Sequence, residues 1–419
     1  MEPVMHLSRR SFLASSAIAG ISTFSISPRT LSGEEPQDAG YSKELGVAAR
    51  LFDGKQCWVH PRAGIVPGAG RDDAPRVVMT MNTLDLDCSD VFKAMYDLHT
   101  DDLGKSWTEP RQRLALAPRT EVIEGVERPV SASDFWPTWH AASKTLLGTG
   151  HSIVYTPDWK VVPNRPRHTV YATYNATRDD WSPWRKLQMP AGPKFAKAGA
   201  GCTQRVDESD GTILLPFYFQ PPDSNSQVSV MRCSFDGREL RYLEHGDELR
   251  VEDATRGIGE PSLVTHQGRY YLTIRHNQRA YVTRSDDGLH FEPLQSWKFD
   301  DGADLGSYNT QAHWVAHTDA LFLVYTRRGL DNDHVFRHRA PLVMAQVDPD
   351  RLCVIRATEQ PLVPERGARL GNFGVTHVSP KETWVTVAEW MQPRGCEKHG
   401  SDGSVYVARI RWKRPNQSA

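Results

Sequence analysis

The sequence is poor in cysteine, in long apolar runs, in excess charge of either sign and in helical periodicity. Its six cysteines, Cys57, Cys88, Cys202, Cys233, Cys353 and Cys396, are scattered over 419 residues without any C-x-x-C spacing, which excludes zinc-ribbon and thioredoxin-like sites. One to three disulfides and a set of buried thiols both fit that spacing. Beyond the N-terminal segment no stretch approaches 18 apolar residues, so no stable membrane insertion is expected. Fifty Lys+Arg against 51 Asp+Glu leave a formal net charge of −1, without the basic excess by which a nucleic-acid binder neutralises phosphates. No apolar pattern of period 3.6 lasts beyond two turns, and 28 Pro and 31 Gly are spread along the chain.

What is present is aromatic and β-forming. Twelve Trp, 13 Tyr and 14 Phe mark a folded chain. Short runs such as Arg76–Met81, Thr212–Phe219, Tyr270–Ile274, Ala320–Tyr325 and Thr383–Ala388 are separated by clusters of Gly, Pro, Asn and Asp, the pattern of an all-β fold.

The first 40 residues read differently. Ser8-Arg9-Arg10-Ser11-Phe12-Leu13 precedes a weakly apolar run from Ala14 to Ile26 and then Pro28. Paired arginines before a segment too short to span a bilayer are the pattern of a twin-arginine export signal. A periplasmic or extracellular location is expected, with residues 1–40 as signal and polar linker and 41–415 as the folded domain.

Turn signals recur along that domain. Thr100-Asp-Asp102-Leu-Gly104-Lys-Ser-Trp107 fits S/T-x-D-x-G-x-x-W, an Asp box, in which hydroxyl and carboxylate cap the turn's own amides and the aromatic packs beneath. Weaker copies start at Thr177, Ser234 and Ser285, giving spacings of 77, 57 and 51 residues. A unit of about 60 residues repeated roughly six times is the size and number of blades in a propeller. The expected fold is therefore all-β, one six-bladed β-propeller.

In a propeller the ligand site lies where loops from every blade converge, so its residues are far apart in sequence. Charged residues at the mouths of apolar strands are the candidates, because their burial is costly unless they are used or paired. They are Arg62 in His60-Pro-Arg62-Ala-Gly, Asp90 ahead of Val91-Phe92, Glu260 in Gly259-Glu260-Pro-Ser, Arg275 fifteen residues later, and Arg337 with Arg339. Arg279 and Arg328 compete for the arginine places; Asp85 and Asp87 compete with Asp90.

In this order and spacing the set resembles the sialidase (neuraminidase) family. The resemblance covers nearly the whole chain after the leader and implies a six-bladed propeller acting on glycans. It implies that Arg62, Arg275 and Arg339 grip a carboxylate, that Asp90 serves as acid and base, and that Glu260 activates the nucleophile. Guanidinium forks suit a carboxylate because they bind it in bidentate fashion and stay charged. The sequence departs from the family in two places. Pro-Arg62-Ala-Gly replaces an R-I-P-like motif, and the region of the family's nucleophilic tyrosine reads Leu370-Gly-Asn372-Phe373.

Trp136, Gln204 and Tyr308 are added as substrate-binding candidates, for stacking and amide contacts with a sugar. Trp139, His140 and Glu389 stand close behind them. His334 and His338 are a metal pair only on a helix, and Gly148-Thr-Gly150-His is too little for a nucleotide loop, so neither a metal nor a cofactor is expected. The expected function is an exported exo-glycoside hydrolase of the sialidase superfamily that removes a terminal acidic sugar. A glycan-binding propeller without catalysis and a hydrolase for neutral sugars are the alternatives.

Overall fold

The computed structural model describes residues 40–417 apart from 89, 253 and 254. The export-signal reading of residues 1–39 lies outside the described residues. Six antiparallel sheets follow one another along the chain and form a six-bladed β-propeller. In each blade one strand lies innermost, and in the second blade Arg119–Ile123 precedes it and pairs with its first half. The inner strands are Gln56–Val66, Val126–His140, the short pair Ala198–Gly199 and Val206–Asp207, then Gly259–His266, His313–His317 and Phe373–Ser379. The ring is closed by exchange: Tyr41–Arg50 pairs with Ser404–Trp412 as the outer strand of the sixth blade, from Tyr41 opposite Trp412 to Arg50 opposite Ser404 with one register shift between Val47 and Ala49. The last blade is thus completed by the first described strand, which leaves fewer open sheet edges.

Blades are held together by the apolar faces between them. Trp384 and Val407 of the sixth blade meet Val77, Met79 and Leu98 of the first, Val385 and Val387 meet Phe322 and Val324 of the fifth, and Trp297, Trp314, Tyr325 and Val343 join the fourth and fifth. Trp297, Trp314 and Trp384 are among the largest fully buried side chains, and truncating one to alanine costs about 3–5 kcal/mol.

The capped turns explain the repeat only in part. Thr100 Oγ1 bonds Asp102 Oδ1 at 2.9 Å and accepts from the Gly104 amide at 2.8 Å, while Asp102 accepts from the Ser106 amide at 2.9 Å. Ser285 and Asp287 build the same turn, and Asp236 accepts from the Arg238 and Glu239 amides. At the copy starting with Thr177 the carboxylate has another use: Asp179 bonds Arg111 and Arg113 of the first blade and Tyr174 of its own instead of capping its turn. Thr156-Pro-Asp158 makes a comparable turn although it lacks the Gly and the following Trp of the Asp-box pattern. All six cysteines are free thiols.

Candidate functional site

The inner strands reach the axis by a shared backbone device. In the first, second and fourth blades the ladder slips between Val59 and Arg62, between Ser133 and Trp136, and between Gly259 and Ser262. The residue inside each slip takes a left-handed backbone: His60 (φ 58°), Asp134 (φ 51°) and Glu260 (φ 47°). Cys202 (φ 62°) and Asn309 (φ 53°) do so at the matching places of the third and fifth blades. For a residue with a side chain this conformation costs roughly 1–2 kcal/mol, so a left-handed residue at five matching places, three of them inside a bulge, is a feature the fold maintains against a cost. The sixth blade presents Asn372 after Gly371. These six side chains, one per blade, all line a single cavity of about 730 Å³ at the axis.

Two residues further along, each strand contributes to a buried plug. The positions are Arg62, Trp136, Gln204, Ser262, Gln311 and Gly374. Arg62 is fully buried, 5.7 Å from the centre of the Trp136 ring, and the missing side chain of Gly374 leaves room for its stem. Gln311, turned so that both neighbours are satisfied, donates to Glu260 Oε2 and accepts from Arg62 Nη2, each at 3.1 Å. Trp136 and Gln204 line a second cavity of about 360 Å³.

The cavity floor is organised around Asp134. Its carboxylate is 3.1 Å from Arg62 Nη1, 3.4 Å from His60 Nδ1 and 3.5 Å from His151 Nε2. Burial works against its charge, but His60, Arg62 and His151 outweigh burial and hold its pKa well below the carboxylate range. Burial lowers His60 to about 4 and His151 to about 3, so both imidazoles are neutral at physiological pH. The other face of His60 accepts from the Asn372 amide at 3.1 Å, and His151 Nδ1 shares a hydrogen bond of 3.0 Å with the Tyr218 hydroxyl.

The walls are basic. Eight arginines line the cavity (Arg165, Arg167, Arg256, Arg275, Arg337, Arg339, Arg369 and Arg394) against three acids, Asp90, Asp134 and Glu260. Glu260 binds Arg275 directly and lies 3.7 Å from Arg256; burial raises its pKa, and these arginines more than reverse that, so it is ionised. Arg275 also donates to the Asn309 side chain at 2.6 Å, while Arg339 donates to the Asn309 carbonyl. Burial first, and then the neighbouring Arg275, lower the pKa of Arg339; burial and Arg337 lower that of Arg369 to about 10. Crowded, desolvated guanidiniums of this kind are stabilised by an anion.

Of the residues singled out from the sequence, Asp90, Glu260, Arg275, Arg337 and Arg339 line the cavity together. Arg62 does not: it is spent on Asp134 beneath the floor. Trp136 packs edge-on against His313 at 4.8 Å, and the Gln204 side chain bonds the backbone of Trp314. Both therefore serve the axis and the second cavity. Tyr308 bonds His338 at 2.6 Å and lies under Arg328, outside the cavity wall. Trp139 and His140 end the inner strand Val126–His140 and do not line the cavity. Glu389 accepts from the amides of Asp402 and Ser404 and stays away from the centre. Asp87 is paired with Arg394 and Asp85 with Lys93, leaving Asp90 as the cavity acid of that loop. His334 pairs with Glu365, and among the described residues no three His, Cys, Asp or Glu are grouped to hold a metal. The sequence reading missed His60, Asp134, His151 and Tyr218, and the arginines Arg165, Arg167, Arg256 and Arg369.

No protein-family model and no curated protein matches the sequence. Solved structures do match in fold. A Dyadobacter fermentans protein described as of unknown function has a TM-score of 0.59 at 13% identity, over 89% of this chain and 100% of that one. The NanB sialidase of Streptococcus pneumoniae gives 0.57 at 13% identity, over 87% of this chain and 70% of that one. Trypanosoma rangeli sialidase with the inhibitor DANA gives 0.55 at 12% identity, over 88% of this chain and 59% of that one. The chain thus has the propeller fold of sialidases and spans about three fifths of the length of the Trypanosoma enzyme.

Proposed function

We propose that the chain is an exported exo-glycoside hydrolase that removes a terminal acidic sugar, of sialic acid type, from a glycan. The observation carrying this reading is the fork made by Arg275 and Arg339. Asn309 holds both guanidiniums, one through its side chain and one through its carbonyl, so they present their remaining N–H groups on one wall of the cavity. A sugar carboxylate fits that fork. The excess of arginines over acids in the lining favours an anionic ligand over a neutral sugar.

In this reading Asp90 protonates the leaving oxygen as the bond from the anomeric carbon breaks. Residue 372 is Asn, whose amide is not a nucleophile, so water attacks the anomeric carbon and Glu260, already ionised, takes its proton. The test is turnover of sialyl and uronyl glycosides by the wild-type chain beside Asp90→Asn and Glu260→Gln. A loss of at least a hundredfold in kcat is expected for each, and unchanged turnover in both would sink the assignment.

A second reading, an acidic-glycan binder without catalysis, is favoured by one observation: Glu260 is already engaged by Arg275, Arg256 and Gln311. Binding abolished by Arg275→Gln, with no product from any acidic glycoside, would establish it.

A further inference from the structure

The fork of Arg275 and Arg339 uses only part of the basic wall. Between the second and third blades stand Arg165 and Arg167, both half-buried and both lining the same cavity. Among the described residues neither guanidinium has a carboxylate or hydrogen-bond partner, whereas most other half-buried arginines of this chain have one. Arg76 has Asp101, Arg327 has Glu359 and Arg284 has Glu292. Holding a charge partly out of water without a counter-charge is unfavourable.

Arg167 is nevertheless held in place. Its amide donates to the Ala196 carbonyl at 3.1 Å, and its carbonyl accepts from the Ala198 amide at 3.0 Å. Its guanidinium lies 4.4 Å from the centre of the Tyr218 ring, and that ring is anchored through its hydroxyl to His151. A side-chain carbon on Gly199 would lie 2.8 Å from the Arg167 stem, so the glycine makes room for it. A fixed backbone, an aromatic platform and a glycine recess hold this cation at the cavity wall. Arg165 lies beside it, and burial first, then Arg167, weakens its hold on its proton.

We propose that Arg165 and Arg167 form a second anion site, so that the cavity takes a glycan bearing two anionic groups: one at Arg275 and Arg339, the other on a neighbouring sugar. Arg256, 3.7 Å from Glu260, lines the same cavity. The cavity's volume of about 730 Å³ falls within the range of sites that enclose ligands larger than one sugar ring. The second group is a sulfate ester or a carboxylate, both of which match a pair of guanidiniums. The proposal rests on the acidic-glycan reading for its first site, but not on hydrolysis.

The experiment is calorimetric binding to the whole chain, wild type and Arg165→Gln/Arg167→Gln, with three probes. These are sialyllactose, its 6-sulfated form and a disialyl disaccharide. Wild type is expected to bind at least one of the two-anion probes tenfold or more tightly than sialyllactose. The double variant should lose that advantage and bind sialyllactose within about twofold of wild type. A preference for the sulfated or the disialyl probe identifies the second group. Equal binding of all three probes by wild type, or an equal loss for all three in the variant, overturns the second site, and so does failure of all three to bind. Arg275→Gln separates the two ideas: if it leaves sialyllactose binding unchanged, the first site and the acidic-sugar reading fail. Binding without turnover leaves the second site standing and removes only hydrolysis. A thermal melt of each variant confirms that it is folded.

Discussion

Arg62 of the first blade donates from Nη1 to Oδ1 of Asp134 in the second at 3.1 Å, and the arginine is wholly buried on the propeller axis. A charge so placed acts on the fold before it acts on a ligand. Asp134→Asn leaves Arg62 without its counter-charge and is expected to cost about 3–5 kcal/mol of stability. Arg62→Gln should destabilise comparably yet leave affinity for an acidic sugar within about twofold. Denaturant unfolding of both variants beside sugar titrations checks this, and a large affinity loss with normal stability for Arg62→Gln would return that arginine to the ligand.

Arg275 and Arg339 face the cavity, and removing either is expected to act in the opposite sense. Arg275→Gln should weaken binding of an acidic glycan by ten- to a hundredfold, the scale of a charge-assisted hydrogen bond of about 1.5–3 kcal/mol. Arg339→Lys keeps a charge but loses the planar fork, so it too should bind less tightly. Because the contacts are ionic and partly exposed, affinity should fall as salt rises. Salt-independent binding would contradict an arginine fork.

The buried histidines set a pH dependence. In the unfolded chain His60 and His151 take up protons near their ordinary 6.5, but in the fold burial holds them at about 4 and about 3. Between those values the unfolded state binds more protons, so stability present above pH 6.5 is lost as pH falls. Each such histidine removes roughly 1.4 kcal/mol per pH unit across that window. Near pH 4 and below, Asp134 and Glu260, whose folded pKa values are depressed, add a further loss. Melting temperature should therefore drop from pH 7 to pH 4, less steeply in His151→Asn. A flat profile across that range would rule out neutral buried imidazoles here.

The fold was legible in the sequence because turns announce themselves locally: Thr100, Asp102 and Gly104 cap their own turn, and so do Ser285, Asp287 and Gly288. The cavity was legible only to within one pleat. Arg62, Trp136 and Gln204 were chosen, while the side chains that face the cavity are His60, Asp134 and Cys202, each two residues earlier. The cause is the left-handed backbone at residues 60, 134, 202, 260 and 309, where the side chain enters the cavity and the next but one goes to the plug. Nothing in local composition marks a left-handed Asp or Glu. A register comparison of the six strands would have, since the residues at 60, 134, 202, 260, 309 and 372 recur at about the blade spacing. Arg165 and Arg167 escaped notice because they lie in a connection between strands, where no apolar run frames them.

The recess around His151 offers the sharpest test of how the second blade and the third share the site. A side-chain carbon on Gly201 would lie 2.3 Å from His151 Nδ1, and one on Gly199 would lie 2.8 Å from His151 Cβ. The imidazole cannot retreat freely, because Asp134 is on one side of it and the Tyr218 hydroxyl on the other. Gly201→Ala is therefore expected to push the ring off Tyr218 and to cost about 1–3 kcal/mol, the usual price of overpacking. Loss of the His151 hydrogen bond also frees Tyr218, the platform of Arg167, so the same variant should weaken binding of two-anion glycans more than that of sialyllactose. Gly46→Ala is the control, since its new carbon would meet only a carbonyl at 3.9 Å on an outer strand and should leave both properties unchanged. Calorimetric binding and thermal melts of the two variants decide the matter: if Gly201→Ala behaves like Gly46→Ala, the His151 recess does not position the wall.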